Sequence, residues 1–209
     1  MTADVPTATE PRSRSDRRRA RRIDEILGVA TRLLAERGYA ATNLDEIAEV
    51  LDLAKASLYH YFPSKEHLIL ACLDRIGAET NQRLSAVAGS ALSPRDRLHA
   101  AVRAQVLILT RDQSAGAALF IHDLGLPEAA RARVRVLVEQ HDRLFRSVID
   151  EGIRAGELHV ADPAVARLLM HGAINFIPSW YQESRRMSPE RLADVVADMF
   201  LQLFSGGPA

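Results

Sequence analysis

Apolar residues in this chain recur at helical spacing in segment after segment, and the segments are divided by residue pairs that start helices. Ile23, Ile26, Leu27, Ala30, Leu33 and Leu34 fall at i, i+3, i+4, i+7, i+10 and i+11, one face of a helix that Gly38 can close in a left-handed conformation. Asn43 and Glu46 supply an N-cap and a first-turn acid for a short helix carrying Leu44, Ile47, Ala48 and Leu51. Lys55 to Phe62 makes two more turns; Pro63 stops them, and Ser64 caps a helix running to about Ala88. Ser93-Pro94, Leu126-Pro127, Asp162-Pro163 and Ser188-Pro189 then each place a proline just inside the start of another amphipathic helix. No strand pattern and no internal repeat interrupts this series, so the expected fold is all-α, with about nine helices and no solenoid.

The chain has 209 residues, of which 47% are hydrophobic and 26% charged, a composition that fits a globular protein with a sizeable core. The single Cys72 cannot close an intramolecular disulfide and suits a reducing cytoplasm. No apolar run is long enough to span a membrane, and Asp24 and Glu25 interrupt what would otherwise resemble a basic leader, so neither a span nor a signal peptide is expected. Charge sums to zero, with 27 basic and 27 acidic residues. That sum hides an asymmetry: residues 12 to 22 hold seven arginines against Asp16 alone, a local charge of 7 − 1 = +6. Residues 1–18 have no apolar period and read as a flexible basic arm.

Three short helices followed by a long one, with a tight connection between the second and third, form a helix-turn-helix pattern. Leu53 and Leu58 would anchor the third helix from inside, leaving Lys55, Ala56 and Ser57 at its exposed amino-terminal end to enter a major groove. Tyr59, His60 and Lys65 can reach phosphates, Asn43 sits at the neighbouring helix start, and Arg18, Arg19 and Arg22 can follow the backbone. The expected partner is double-stranded DNA.

The run Asn43-Leu44-Asp45-Glu46-Ile47-Ala48 through Ser57-Leu58-Tyr59-His60-Tyr61-Phe62-Pro63-Ser64-Lys65-Glu66 resembles the DNA-binding domain of the TetR family of bacterial transcriptional regulators. The resemblance spans roughly residues 20 to 70. It implies a homodimer on a palindromic operator, with the third helix reading the groove and a carboxy-terminal domain binding a small inducer. Two positions depart from the family pattern. Asp52 replaces the usual turn glycine, which an aspartate can match by adopting a left-handed conformation; Ala54 replaces the usual Ser or Thr cap and removes a side-chain hydrogen bond. The expected organisation is arm 1–18, helix-turn-helix domain 19–66, and ligand-binding and dimerisation domain 67–205.

In that last domain, polar residues on apolar faces are the pocket candidates. These are His122 beside Phe120, His141 within its stripe, and the set Arg167, His171, Asn175, Phe176 and Trp180. Leu192, Val195, Val196, Met199, Phe200 and Leu203 form a continuous stripe expected to face a second subunit, and the segment from Pro163 is apolar enough to be buried on more than one side. Two such helices from each subunit would make a four-helix dimer interface, the arrangement the resemblance implies. The stretch from Asn175 to Glu190 is similar to the branch of the family that controls fatty-acid and sterol catabolism. That branch implies an acyl-coenzyme A effector, with Arg131, Arg133, Arg135, Arg143, Arg146 and Arg167 available for its phosphates. The working expectation is a repressor released by its ligand, without a cofactor. An enzyme is disfavoured because nucleotide-binding and hydrolase motifs are lacking. A metal-responsive regulator using His122, Asp123 and His171 is the alternative.

Overall fold

The computed structural model describes residues 13–112, 114–122, 124–182 and 187–206. Among these are nine α-helices: α1 (Arg14–Ala41), α2 (Leu44–Val50), α3 (Lys55–Tyr61), α4 (Lys65–Ala88), α5 (Pro94–Leu107), α6 (Ser114–Ile121), α7 (Glu128–Arg154), α8 (Pro163–Trp180) and α9 (Pro189–Leu203). A π-helical turn, Ile108–Asp112, joins α5 to α6.

Helix starts follow the capping chemistry in the sequence. Asn43, Ser64, Ser93, Asp162 and Ser188 each accept a backbone N–H of the turn they open. Proline occupies the first turn of α5, α8 and α9, whereas Pro127 is itself the N-cap of α7. The basic stretch departs from its expected form. Ser13 accepts the Asp16 N–H at 3.1 Å while Asp16 accepts the Ser13 N–H at 3.2 Å, a capping box that starts α1 inside the stretch read as a flexible arm. Residues 1–12, Arg12 among them, lie outside the described part of the chain.

Two apolar clusters organise the packing. One contains Ile26, Leu34, Ile47, Leu58, Ile69 and Leu73 from α1 to α4, and it continues into Leu119 of α6 and Ala130 and Leu137 of α7. The other joins the far end of α4 through Leu84 to α5, the second half of α7, α8 and α9. Apolar packing therefore does not stop at residue 66. Helix α4 belongs to both clusters and, with 24 residues, is roughly 36 Å long at about 1.5 Å per residue.

Helix α8 buries one side only. Met170, Ile174 and Ile177 face the core, while Val165, Leu168, Leu169, Phe176 and Trp180 stand exposed. This outer stripe belongs to neither apolar cluster of the described residues, so within one chain the expected burial on more than one side is met on the inner side alone. Helix α9 shows the converse. Its stripe packs onto α5, so Leu192 is buried and Val196 and Phe200 lie against the core; Met199 and Leu203 remain exposed.

Candidate nucleic-acid interface and cavity

The turn between α2 and α3 forms as the sequence requires. Leu53 N–H donates to Ala48 O at 2.9 Å, and Asp52 takes φ 51°, the left-handed value that lets this aspartate stand in a glycine position. Ala54 opens α3 without a side-chain cap. Leu58 is fully buried, worth about 2 kcal/mol of apolar transfer, and it fixes α3 so that Lys55, Ala56, Ser57, Tyr59 and His60 face outward. Lys55 Nζ donates to Asp45 at 2.7 Å, a bond that raises the lysine pKa and ties the start of α3 to α2. Asn43 spends its side-chain oxygen on the Glu46 N–H at 2.7 Å.

Lys65 sits differently from its expected role as a phosphate ligand. Its ammonium donates to Thr42 O at 2.6 Å and lies 4.2 Å from the centre of the Tyr39 ring. Partial burial lowers its pKa. The lysine closes the carboxy-terminal end of α1, where carbonyls lack helical partners.

Arg14, Arg17, Arg18 and Arg21 occupy i, i+3, i+4 and i+7 on α1, opposite the face that buries Ile26, Leu27 and Ala30, and all four are exposed. Arg22 pairs with Glu25 at 2.8 Å, and the Arg19 guanidinium lies 5.6 Å from the centre of the Tyr61 ring. Arg19 thus reaches α3, while Arg14, Arg17, Arg18 and Arg21 form a separate exposed basic stripe on the outer side of α1.

A cavity of about 580 Å³ lies among α4, α5, the π turn, α6, α7 and α8. Ile76 and Gly77 of α4, Ile108 and Leu109 of the π turn, and Phe120 of α6 supply apolar wall; Leu137 of α7 reaches in from the first cluster. His141, Arg167, His171 and Asn175, all expected from the sequence, line the same space. Phe176 and Trp180 do not: they are 65% and 55% exposed on the outer stripe of α8, on the other side of the helix from Met170, Ile174 and Ile177. His122 is exposed and absent from the wall.

Gln105, Asp142 and Ile76 line the cavity without having been singled out by sequence. Gln105 carried a usable signal, a polar residue on the stripe Leu98, Ala101, Val102, Val106. The π turn carried none.

Asp142 is the electrostatic hub of the cavity. It accepts Arg146 at 3.0 Å, pairs with the nearly buried Arg167, and lies 3.5 Å from His171 Nε2. Burial pushes the His141 pKa down to about 3, with the neighbouring His171 adding to the shift. Burial, then Arg167, lowers His171 to about 4. Both rings are neutral at pH 7, and their centres are 5.4 Å apart.

The six arginines available for phosphates are all paired. Arg131 and Arg135 share Glu128, Arg133 meets Asp74, Arg143 meets Glu139, and Arg146 and Arg167 share Asp142. Among the described residues no group of three His, Cys, Asp or Glu side chains could hold a metal ion. Of the metal alternative, His122 is exposed away from the cavity that holds His171, and Asp123 lies outside the described residues. No helix among the described residues is long and apolar enough to cross a membrane.

A helix-turn-helix with an outward recognition helix, continuous in packing with a cavity-bearing helical body, defines a DNA-binding transcriptional regulator. Residues 26–72 match the family described as bacterial regulatory proteins, tetR family, and residues 91–204 match the tetracyclin repressor-like C-terminal domain. The chain belongs to the tetR family. It is 26% identical over 208 residues to the HTH-type transcriptional repressor KstR2 of Rhodococcus jostii (strain RHA1), covering 98% of this chain and 97% of that protein. Its fold is similar to a TetR/AcrR-family regulator from Thermobifida fusca, with TM-score 0.69 and 29% identity over 87% of this chain and 97% of that one. It is also similar to AibR in complex with isovaleryl coenzyme A and operator DNA, with TM-score 0.76 and 26% identity over 88% of this chain and 98% of that one.

Proposed function

We propose that this regulator is a homodimeric repressor, acting on palindromic DNA in the cytoplasm, and that an apolar or acyl-CoA-like ligand releases it. The carrying observation is that Ile76 and Leu137 belong both to the cavity wall and to the apolar cluster that holds α1 to α3. A ligand pressing on these side chains acts on the packing that positions the recognition helix. AibR, which has been crystallised with isovaleryl coenzyme A and operator DNA, supports this effector class.

Dimerisation stays with the two last helices, as the sequence reading has it, but through the exposed stripe of α8 and without the buried Leu192. Val165, Leu168, Leu169, Phe176 and Trp180 fall on one stripe of α8, and Met199 and Leu203 extend it from α9. A monomer gains nothing from this much exposed apolar side chain, whereas a twofold partner would bury it and set the spacing of two recognition helices.

The test is titration of an operator, selected from genomic fragments by the protein itself, with and without saturating isovaleryl coenzyme A or a longer acyl-CoA. A coupling of about 1–3 kcal/mol lowers operator affinity roughly 5- to 150-fold. Equal affinity with and without each of these compounds would sink the release mechanism.

A further inference from the structure

The cavity is lined by three cations, Arg135, Arg146 and Arg167, and each is already committed to a carboxylate. Arg167 is the most enclosed of them, with 10% of its side chain exposed, and its partner Asp142 is also shared with Arg146. A ligand carboxylate entering here would face Asp142 directly. To claim Arg167 it would have to leave Asp142 with a single, largely solvated guanidinium. The histidines offer no compensating charge, because both are neutral.

What Gln105 lacks is a donor for its side-chain oxygen. Gln105 is 6% exposed, and its Oε1 is buried without a hydrogen-bond partner among the described residues. An amide oxygen left in that state is a standing cost to the fold that a bound donor can remove. His171 Nε2 is likewise buried, with only the long 3.5 Å approach to Asp142. Around these groups most of the wall is hydrocarbon, from Ile76, Ile108, Leu109, Phe120 and Leu137, and its other uncharged polar side chains are those of Thr80, Asn81 and Asn175.

We propose that the part of the effector enclosed in this cavity is uncharged and apolar, and that it carries one hydrogen-bond donor, a hydroxyl or amide N–H, which meets Gln105 Oε1. This rests on reading the cavity as the effector site. Any anionic portion of a larger effector stays outside the space bounded by the Asp142 pairs.

Three eight-carbon probes separate the possibilities when titrated calorimetrically into the full-length protein at pH 7: 1-octanol, heptyl methyl ether and octanoate. The alcohol donates, the ether only accepts, and octanoate carries charge. The alcohol is expected to bind about tenfold tighter than the ether, the value of one satisfied buried hydrogen bond, and octanoate weakest of the three. Gln105→Leu, checked for an unchanged melting profile, is expected to bring alcohol and ether to equal affinity. If that variant melts early, Gln105→Met serves the same comparison. Octanoate binding as tightly as octanol, or an alcohol preference that survives loss of the amide, overturns the proposal while leaving the cavity as a ligand site. Failure of all three probes to bind overturns the effector-site reading together with it.

Discussion

The backbone N–H of Tyr39 donates to the carbonyl of Leu124 at 2.9 Å, joining the end of α1 to the segment that follows α6. Gly38, one residue earlier, has φ 78° and ψ 172°, a region open in practice to glycine alone, and a Cβ built there would stand 3.3 Å from the same Leu124 oxygen. Gly38→Ala should therefore destabilise the protein by about 1–3 kcal/mol in urea unfolding. It should also weaken the effect of ligand on operator affinity, because this contact links the cavity-side helix to the DNA-binding helices. Wild-type stability in the variant would mean the backbone relaxes here at no cost.

Lys65 and Tyr59 should separate by readout. Lys65→Met removes the bond to Thr42 and the contact with Tyr39, costing about 1–2 kcal/mol of stability, with DNA affinity lost only through the fold. Tyr59→Ala removes a 46% exposed side chain and should leave the melting curve in place while weakening operator binding. Fluorescence melts beside anisotropy titrations distinguish the two. The opposite pattern would return Lys65 to the phosphate-binding set.

The arginine stripe on α1 makes a claim about salt. Changing Arg14, Arg17, Arg18 and Arg21 together to glutamine should flatten the dependence of log K on log salt by about 0.9 for each phosphate contact removed, with sequence preference retained. An unaltered slope would show that the stripe faces solvent in the complex.

Acid should weaken the fold through the cavity histidines. His141 and His171 have folded pKa values near 3 and 4, against 6.5 when free, so the unfolded chain binds protons that the folded chain refuses. Their contribution is whole above about pH 6.5 and is lost as pH falls toward about 4, with a slope approaching about 1.4 kcal/mol per pH unit for each ring. Urea unfolding at pH 7 and pH 5 measures this. A His141→Leu, His171→Leu double variant should lose less stability between those pH values than the parent does.

The outer face of α8 predicts a change of mass. Leu169→Glu with Phe176→Glu should convert a dimer into a folded particle of 23.1 kDa in light scattering, with operator binding lost alongside. Leu192→Glu, on the buried side of α9, should unfold the chain instead. A dimer persisting in the α8 variant would move the interface elsewhere.

How much of this was legible in the sequence depends on how local the signal is. N-caps, prolines and the 3.6-residue period act within a turn or two, and they marked every helix start after Gly38 to within about two residues, α6 excepted. Asp52 was readable because one residue's backbone preference decides that turn. Ser13 and Asp16 were equally local, but seven arginines masked them, and a capped helix read as an arm. The cavity was half legible. His141, Arg167, His171 and Asn175 announced themselves as polar interruptions of apolar stripes, yet periodicity cannot distinguish an inner stripe from an outer one when both are apolar. Phe176 and Trp180 for that reason read from sequence as inner residues, and Leu192 as an outer one. Asp142 became central only through Arg146, Arg167 and His171, residues that the fold brings together from two helices.

The reach of the first apolar cluster into Leu119, Ala130 and Leu137 bears on how this protein can be re-engineered. A chimera cut at residue 66 would separate Leu58 and Ile47 from the side chains that cover them and would expose hydrocarbon on both halves. The transplantable unit is discontinuous in sequence. A graft that keeps the recognition helix upright must carry α6 and the opening turns of α7 along with α1 to α4, and calorimetry of the intact chain should register these parts melting in one step.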